Sequence, residues 1–425
     1  MKKLLIISPH FPPINAPDMH RIRISLPYYT KYGWEPTIVC VDEKYCEGYQ
    51  DKKLNYSVSK SIEIIKVKAF AAKYTRKIGL GSLSLRSLLY YKRVVSGMLM
   101  LKKYDLILFS TSMFHVCSLG PYWKKRYAIP FVIDMQDPWR NDYYLNKPKE
   151  IRPPKYKIAY FINKQMEAHT IPLVDGIISV SQGILDELQK RYPVVANKPK
   201  KVIPFGYSEE DYHILEKYNI QSLLIDKNPN KINVVYMGAL TRFFIPLIRA
   251  FFISLKEYSE ELLNNYHFYF IGTNYSGTAT TTYIRTLALE LGLSENITEI
   301  PSRFPYYESL ATLRESDILF IPGSVDADYN ASKIYNNLFS GTPVFTIFNE
   351  KSLVIVAAKE IGSSVIVSVN EGDDEEKLKI KIRQALPSFV TMHGRKGTAN
   401  KNNLVKYSAN VLTGKQVELF DKVIK

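Results

Sequence analysis

The stretch "YNASKIYNNLFSGTPVF", residues 329–345, decides how the rest of the chain is read. A loop of small polar residues runs into Lys333, and about two turns of helix-compatible residues follow. Gly341 then fits the position just past a helix end, where left-handed backbone is favoured, and Pro343 bars the helix from going on. The apolar run "PVFTIF" (343–348) comes next. A short helix feeding directly into an apolar strand is one step of an alternating α/β fold.

The same alternation extends in both directions. Towards the N-terminus of this stretch lie "INVVYMG" (232–238), "HFYFIGT" (267–273), "ITEIP" (297–301) and "DILFIPG" (317–323), and beyond it "SVIVSV" (364–369). An earlier set holds "KLLIIS" (3–8), "PTIVCV" (36–41), "IEIIKV" (62–67), "DLILFS" (105–110), "PFVID" (130–134), "GIISVS" (176–181) and "KVIPF" (201–205). These runs are short, rich in Ile and Val and apolar on both faces, the pattern of a parallel sheet covered on two sides. The expected fold is α/β, with two doubly wound Rossmann-like domains facing a cleft. Residues 1–206 form the first domain, the polar segment 207–231 a linker, and 232–425 the second. The Lys-rich end, 396–425, supplies a last helix that is a candidate to lie back on the first domain.

The totals agree with two domains, because 425 residues exceed what one core of ~250–300 residues holds. The three cysteines, Cys40, Cys46 and Cys117, form no CxxC or Cys/His cluster. That argues against a zinc site or a disulfide framework and fits a reducing compartment. "MKKLLIISPHFPP" has too short an apolar stretch for a signal peptide and reads as a first strand. Residues 83–101 are the nearest approach to a membrane span, but Arg86, Lys92 and Arg93 interrupt them.

The formal charge of +16 is one-sided. Residues 1–206 hold 34 basic and 16 acidic side chains, against 23 and 25 in the remainder. Residues 60–104 alone carry eleven basic residues and a single acid, Glu63. Such asymmetry points to an anionic partner, with a solvated basic face as the alternative. Here the charges are interleaved with Phe70, Leu80, Leu83, Leu85, Leu88, Leu89, Tyr90 and Tyr91. That mixture suits an anionic membrane surface better than nucleic acid.

Ligands of open α/β sheets bind beyond the carboxyl ends of the strands. The loop after "DILFIPG" leads to a helix expected to start near Ala331, with Lys333 in its first turn. The helix N–H groups and the lysine charge together describe a diphosphate site. "VVYMGALTR" (234–242) and "FIGTNYSG" (270–277) each place a glycine, Gly238 and Gly272, straight after a strand, where a phosphate or another backbone can approach closely. Arg242 lies within reach of the first of these turns. An ordinary surface lysine on an ordinary helix is the alternative for Lys333 taken alone.

With these motifs together, the chain resembles the GT-B glycosyltransferases, most closely a family 4, glycogen-synthase-like type. The resemblance runs nearly full length. It is carried by "IISPHFPP", "FVIDMQDPW", "ISVSQGILDEL", "KVIPFGYSEEDY", "YMGAL" and "SKIYNNLFSGTPVF". It implies a C-terminal domain that binds a nucleotide sugar, an N-terminal domain that binds the acceptor, and nominal retention of anomeric configuration. It implies a nucleotide-sugar donor used as substrate, with no cofactor and no metal. Where the family shows two glutamates eight positions apart, this chain has Asp328 and Asn336. Asp328 is then a candidate to reach a donor-sugar hydroxyl, and Asn336 a ribose hydroxyl. The second basic residue common after Arg242 is replaced by Phe243, and the glycine-rich loop after the first strand by "PPINAPDMHRIR".

On the acceptor side, "DMQDPWRNDYY" (134–144) holds Gln136 and Asp137 near where many family members carry a histidine. Asp137 is the candidate base or orienter of an acceptor hydroxyl, with a turn cap as the plain alternative. His115 is the competing base, with a structural histidine as its alternative. Arg21 and Arg23 are candidates to meet an acceptor phosphate. The partners expected are a nucleotide sugar, a lipid-linked saccharide or cell-surface polysaccharide acceptor and an anionic membrane, without nucleic acid. The location expected is cytoplasmic, on the inner face of the cell membrane. Two other activities fit the same shape: a sugar-nucleotide epimerase, and a nucleotide-sugar-binding protein without turnover.

Overall fold

A computed structural model of the chain describes residues 1–142, 144, 145, 148, 149, 152, 155–224, 227–274, 282–326, 329, 331–362, 364–394 and 399–425. It divides into two compact units: Met1–Phe205 with Ala409–Lys425, and Gly206–Ser408. The segment expected as a linker falls within the second unit, where Ser208 caps a helix at Glu209–Lys217.

All thirteen strands expected from the sequence form. Those of the first unit are β1 (Lys2–Ile7), β2 (Trp34–Val41), β3 (Glu63–Val67), β4 (Leu106–Ser110), β5 (Phe131–Met135), β6 (Gly176–Ser179) and β7 (Lys200–Val202). They make one parallel sheet in the order β3-β2-β1-β4-β5-β6-β7. Those of the second unit are β8 (Ile232–Met237), β9 (Tyr266–Ile271), β10 (Ile297–Ile300), β11 (Ile318–Pro322), β12 (Val344–Asn349) and β13 (Ser364–Val369). Their parallel order is β10-β9-β8-β11-β12-β13. In each sheet the order reverses direction beside the first strand, between β1 and β4 and between β8 and β11. That reversal opens a crevice at the carboxyl ends, the usual ligand position of doubly wound sheets.

Strand periodicity sorts the first core into two faces. Leu5, Ile7, Ile107, Phe109 and Ile133 point into one buried cluster, and Leu4, Ile6, Leu106, Leu108 and Val132 into another. The last helix, Ala409–Val423, covers the second face. Phe420 meets Trp34 edge-on at 5.6 Å, and Gln416 both accepts from Tyr29 (2.7 Å) and donates to Ser25 (3.0 Å). In the second unit Phe251, on the helix Ile245–Tyr258, lies among Phe268, Phe320, Phe345 and Phe389, with centroids 4.7–5.8 Å apart. Edge and offset contacts of this kind stabilise by ~0.5–1.5 kcal/mol each beyond simple burial.

Candidate active site

In the second unit, the crevice between β8 and β11 is spanned by one side chain. Lys333 opens the helix Lys333–Phe339, two residues later than expected. At seven residues that helix is too short for its dipole to carry an anion site, so the charge has to come from the lysine. Its Nζ donates to the Tyr236 hydroxyl at 2.7 Å and sits 4.1 Å from the ring centroid. Tyr236 is the next-to-last residue of β8, and its hydroxyl donates to the Ala239 carbonyl at 2.8 Å. Burial, and then the charge of Arg303, pull the Lys333 pKa down to about 7. Among the described residues no carboxylate pairs with it.

Two glycines make room for this arrangement. Gly238 has φ +133°, and a Cβ there would stand 2.7 Å from Lys333 Nζ. Gly272, φ +71°, would place a Cβ 3.6 Å from the Arg303 backbone and 3.9 Å from the Gly238 nitrogen. The structure therefore gathers Gly238, Gly272, Lys333 and Arg303. Arg303 was not foreseen, although it lies in the loop after β10, at a carboxyl end. Asn336 follows one turn after Lys333, and its Oδ1 is buried without a hydrogen-bond partner. Arg242 begins a short turn, stays exposed and lies over the Phe243 ring at 5.2 Å, and no contact joins it to the lysine. Asp328 lies outside the described residues.

In the first unit the crevice between β1 and β4 is dense with hydrogen bonds. His10, in the loop after β1, meets Asp18 through Nδ1 at 2.9 Å. Asp18 also accepts from the Thr111 hydroxyl (2.8 Å) and the Ser112 N–H (3.3 Å), both just past β4. Burial would raise the Asp18 carboxyl, but His10, Thr111 and Ser112 together hold it below the usual carboxylate range. Gln136, just past β5, is buried and shares its amide protons among the Asp18 carbonyl, Ser110 Oγ and Asp134 Oδ2 at 3.0–3.1 Å. Its neighbour Asp137 is exposed yet crowded. The surrounding protein, and then the Asp18 charge, push its pKa up to about 6.

The two arginines expected to meet acceptor phosphate are placed differently. Arg21 is buried, pairs through Nε with Asp134 at 2.9 Å and donates to the Ile203 (2.9 Å) and Pro204 (3.2 Å) carbonyls. Arg23 is fully buried and donates to Ser57 Oγ at 2.9 Å. Guanidinium groups committed in this way anchor the loops and have no donors turned to solvent for a phosphate. His115 sits in the turn Phe114–Ser118, its Nδ1 is 2.9 Å from Ser84 Oγ, and burial lowers its pKa to about 4. It is neutral at pH 7, without a carboxylate to orient it. A cavity of about 620 Å³ opens at the other end of this sheet, by Asp105 and Pro130, away from all of these groups.

The basic segment also has a structure. Arg86, on the helix Leu83–Leu101, is buried and donates to the carbonyls of Gly81 (3.2 Å), Phe70 (2.6 Å) and Tyr45 (3.0 Å), so it holds the fold and is not a surface charge. Tyr74 and Leu80 are exposed near exposed Lys73, Arg76 and Lys77 in sequence, and Leu89 is exposed on the helix Leu83–Leu101. Lys155 donates to the Arg76 carbonyl at 3.2 Å, which places the start of the helix Tyr156–Thr170 beside them. That helix exposes Ile158 and Phe161, three positions apart, with Lys157 and Lys164 nearby in sequence. Among the described residues no helix is long and apolar enough to cross a membrane, and no group of three or more His, Cys, Asp or Glu could hold a metal ion.

Residues 28–211 match the family described as Glycosyltransferase Family 4. Among solved structures, the chain is similar over 100% of its length to 99% of a sucrose-phosphate synthase from Thermosynechococcus elongatus, with 12% identity and a TM-score of 0.63. HepE from Anabaena, solved with UDP-glucose, matches over 99% of this chain and 100% of its own at 13% identity and a TM-score of 0.58. WaaG, a glycosyltransferase involved in lipopolysaccharide biosynthesis, matches over 100% and 98% at 14% identity and a TM-score of 0.55. A search of curated protein sequences finds no match. The family match thus covers residues 28–211, and the whole chain shares the fold of these structures, the two-sheet GT-B architecture.

Proposed function

We propose that the enzyme moves a sugar from a nucleotide-sugar donor, bound in the second unit, to a lipid-linked or cell-surface polysaccharide acceptor bound in the first. One observation carries the donor half. Lys333 is a cation held against Tyr236 and Gly238, facing the charge of Arg303, with no carboxylate near it among the described residues. A diphosphate relieves that repulsion. Negative charge grows on the leaving diphosphate as the glycosidic bond breaks, and fixed positive groups facing such charge are the largest usual source of rate. The buried, unpartnered Asn336 Oδ1 is suited to accept from a ribose hydroxyl, and Arg242 to close over the phosphates from solvent.

On the acceptor side Asp137 is the exposed carboxyl that hydrogen-bonds and orients the incoming hydroxyl. Retention results if the departing diphosphate takes the hydroxyl proton, and inversion if a protein base takes it from the opposite face. The lipid-held acceptor rests on the exposed basic and apolar groups of Lys73–Leu80 and Tyr156–Lys164, which suit docking on the anionic inner face of the cell membrane. The solved relatives add UDP-glucose binding by HepE and lipopolysaccharide synthesis by WaaG.

Thermal shift against UDP-, GDP-, ADP- and dTDP-hexoses tests the donor half. A ligand bound only by the folded state raises apparent stability by RT ln(1 + [L]/Kd), so one donor should stand out. If none shifts the wild-type protein, the donor assignment falls. Consumption of that donor with no acceptor present would favour an epimerase.

A further inference from the structure

We propose that Tyr236 is a positioning residue for the donor diphosphate: its hydroxyl holds the Lys333 ammonium in one orientation and ties it to the glycine turn after β8. This rests on the donor half of the function proposed above and adds to it the group that aims the cation.

A lysine carries its charge on a flexible four-carbon stem, and left to itself spreads that charge over many rotamers. Here the end of the stem is fixed twice by one residue. Nζ donates to the Tyr236 hydroxyl at 2.7 Å and stands 4.1 Å from the centroid of the same ring. Tyr236 is itself locked. It is 1% exposed, lies on β8 between β9 and β11, and packs against the Phe270 ring at 5.7 Å.

The direction of the hydrogen bonds follows from the donors present. An ammonium has three N–H groups and no lone pair, so the Tyr236 oxygen accepts from Lys333. The hydroxyl hydrogen goes to the Ala239 carbonyl at 2.8 Å. Burial keeps the phenol protonated well above neutral pH, so its oxygen stays an uncharged acceptor. This chain of ammonium, hydroxyl and carbonyl uses one N–H group. Among the described residues the other two have no acceptor, which leaves them for two phosphate oxygens.

The same chain reaches the turn. Ala239 follows Gly238, where a Cβ would stand 2.7 Å from Nζ, so the turn is pinned where the lysine passes over it. An aspartate or glutamate in place of the phenol would also anchor the amine, but it would cancel the charge that draws a diphosphate. A neutral oxygen anchors the charge and leaves it whole. Among the described residues the groups facing this pair are Arg303, from the loop after β10, whose charge opposes that of Lys333, and Tyr329, from the loop after β11, which faces Tyr236.

The test uses Tyr236→Phe in the full chain, which keeps the ring and removes only the oxygen. By titration calorimetry with UDP, GDP, ADP and dTDP, the diphosphate that wild type binds most tightly should bind the variant roughly 3- to 10-fold more weakly at pH 8. The lost bond favoured the charged amine, so the Lys333 pKa should fall in the variant and the loss of affinity should be smaller at pH 6. In a Lys333→Met background the same change should cost less than about twofold, because the oxygen acts through the amine. A tyrosine that only supported the strand would cost the same in both backgrounds. Carbon-13 NMR of the lysine side chains, with Lys333 assigned from Lys333→Met, should show the lower titration without any ligand. Affinity unchanged within about twofold, equal losses in both backgrounds, or a Lys333 titration unmoved by Tyr236→Phe overturns the proposal. If none of the four diphosphates binds wild type, the donor reading falls instead, and the lysine titration still decides whether Tyr236 holds the charge.

Discussion

The two sheets reverse at equivalent places and fill the resulting crevices with opposite chemistry. Between β1 and β4 the buried charges are mostly carboxylates, and most are satisfied within the unit: Asp18 by His10, Thr111 and Ser112, and Asp134 by Arg21 and Ser110. Between β8 and β11 the charges are cations, and Lys333 has only a phenol oxygen and a ring face beside it among the described residues. A satisfied buried network is rigid and costs little to keep. A half-buried cation without a counter-charge costs folding stability, and a ligand that brought the missing charge would offset that cost. On the proposed reading the first crevice orients a neutral hydroxyl, and the second receives an anion.

The largest way to break this contrast is Lys333→Ala. Losing a charge-assisted bond of about 1.5–3 kcal/mol should weaken nucleoside-diphosphate binding roughly 10- to 150-fold and remove most turnover while the fold persists. Titration calorimetry reads the affinity, and binding unchanged within about twofold would sink the assignment. Asp137→Asn keeps the shape and removes the charge. Turnover should fall on the order of tenfold with donor binding intact, because one charged hydrogen bond to the acceptor is lost. Steady-state kinetics with the donor fixed distinguishes this from an effect on the second unit. Gly238→Ala sharpens the comparison within the anion site. Its Cβ would intrude on Lys333 Nζ and take a left-handed backbone costing about 1–3 kcal/mol, so diphosphate affinity should drop with Tm lowered as well. The smallest effect belongs to the surface. Replacing Lys73, Lys77 and Lys157 with glutamine should reduce flotation with anionic liposomes by ~1 kcal/mol per charge at low salt, and leave nucleotide affinity unchanged. Wild-type protein that stays soluble beside such liposomes would show the basic face to be merely solvated.

Much of the fold was legible because a parallel sheet buried on both faces writes itself as short apolar runs, and all thirteen were readable. Gly238 and Gly272 were readable too, because a glycine directly after a buried strand has few other uses. Burial of charge was not readable. Arg21, Arg23 and Arg86 look like surface cations in the sequence, and their carbonyl, carboxylate and serine partners lie 5–183 positions away. Arg86 illustrates the consequence, since it would have been a poor choice for testing membrane contact. His10 was in view inside "SPHFPP" but had no visible partner, because nothing in the sequence says that Asp18 is held in place by Thr111, 93 residues later. Arg303 was missed for the same reason: its relation to Lys333 arises only when β8, β9 and β10 lie side by side.

The most direct measurement is the proton count on binding. In the free protein the Lys333 pKa lies at about 7, so at pH 8 the amine is mostly neutral. A diphosphate favours the charged form and raises that pKa towards its ordinary range, so binding should draw a proton from solvent. Calorimetric titration of the nucleoside diphosphate at pH 8, in two buffers of different ionisation enthalpy, should therefore show uptake approaching one proton per ligand, and Lys333→Met should abolish it. Binding without proton uptake, or the same uptake in Lys333→Met, would contradict a diphosphate site built on Lys333.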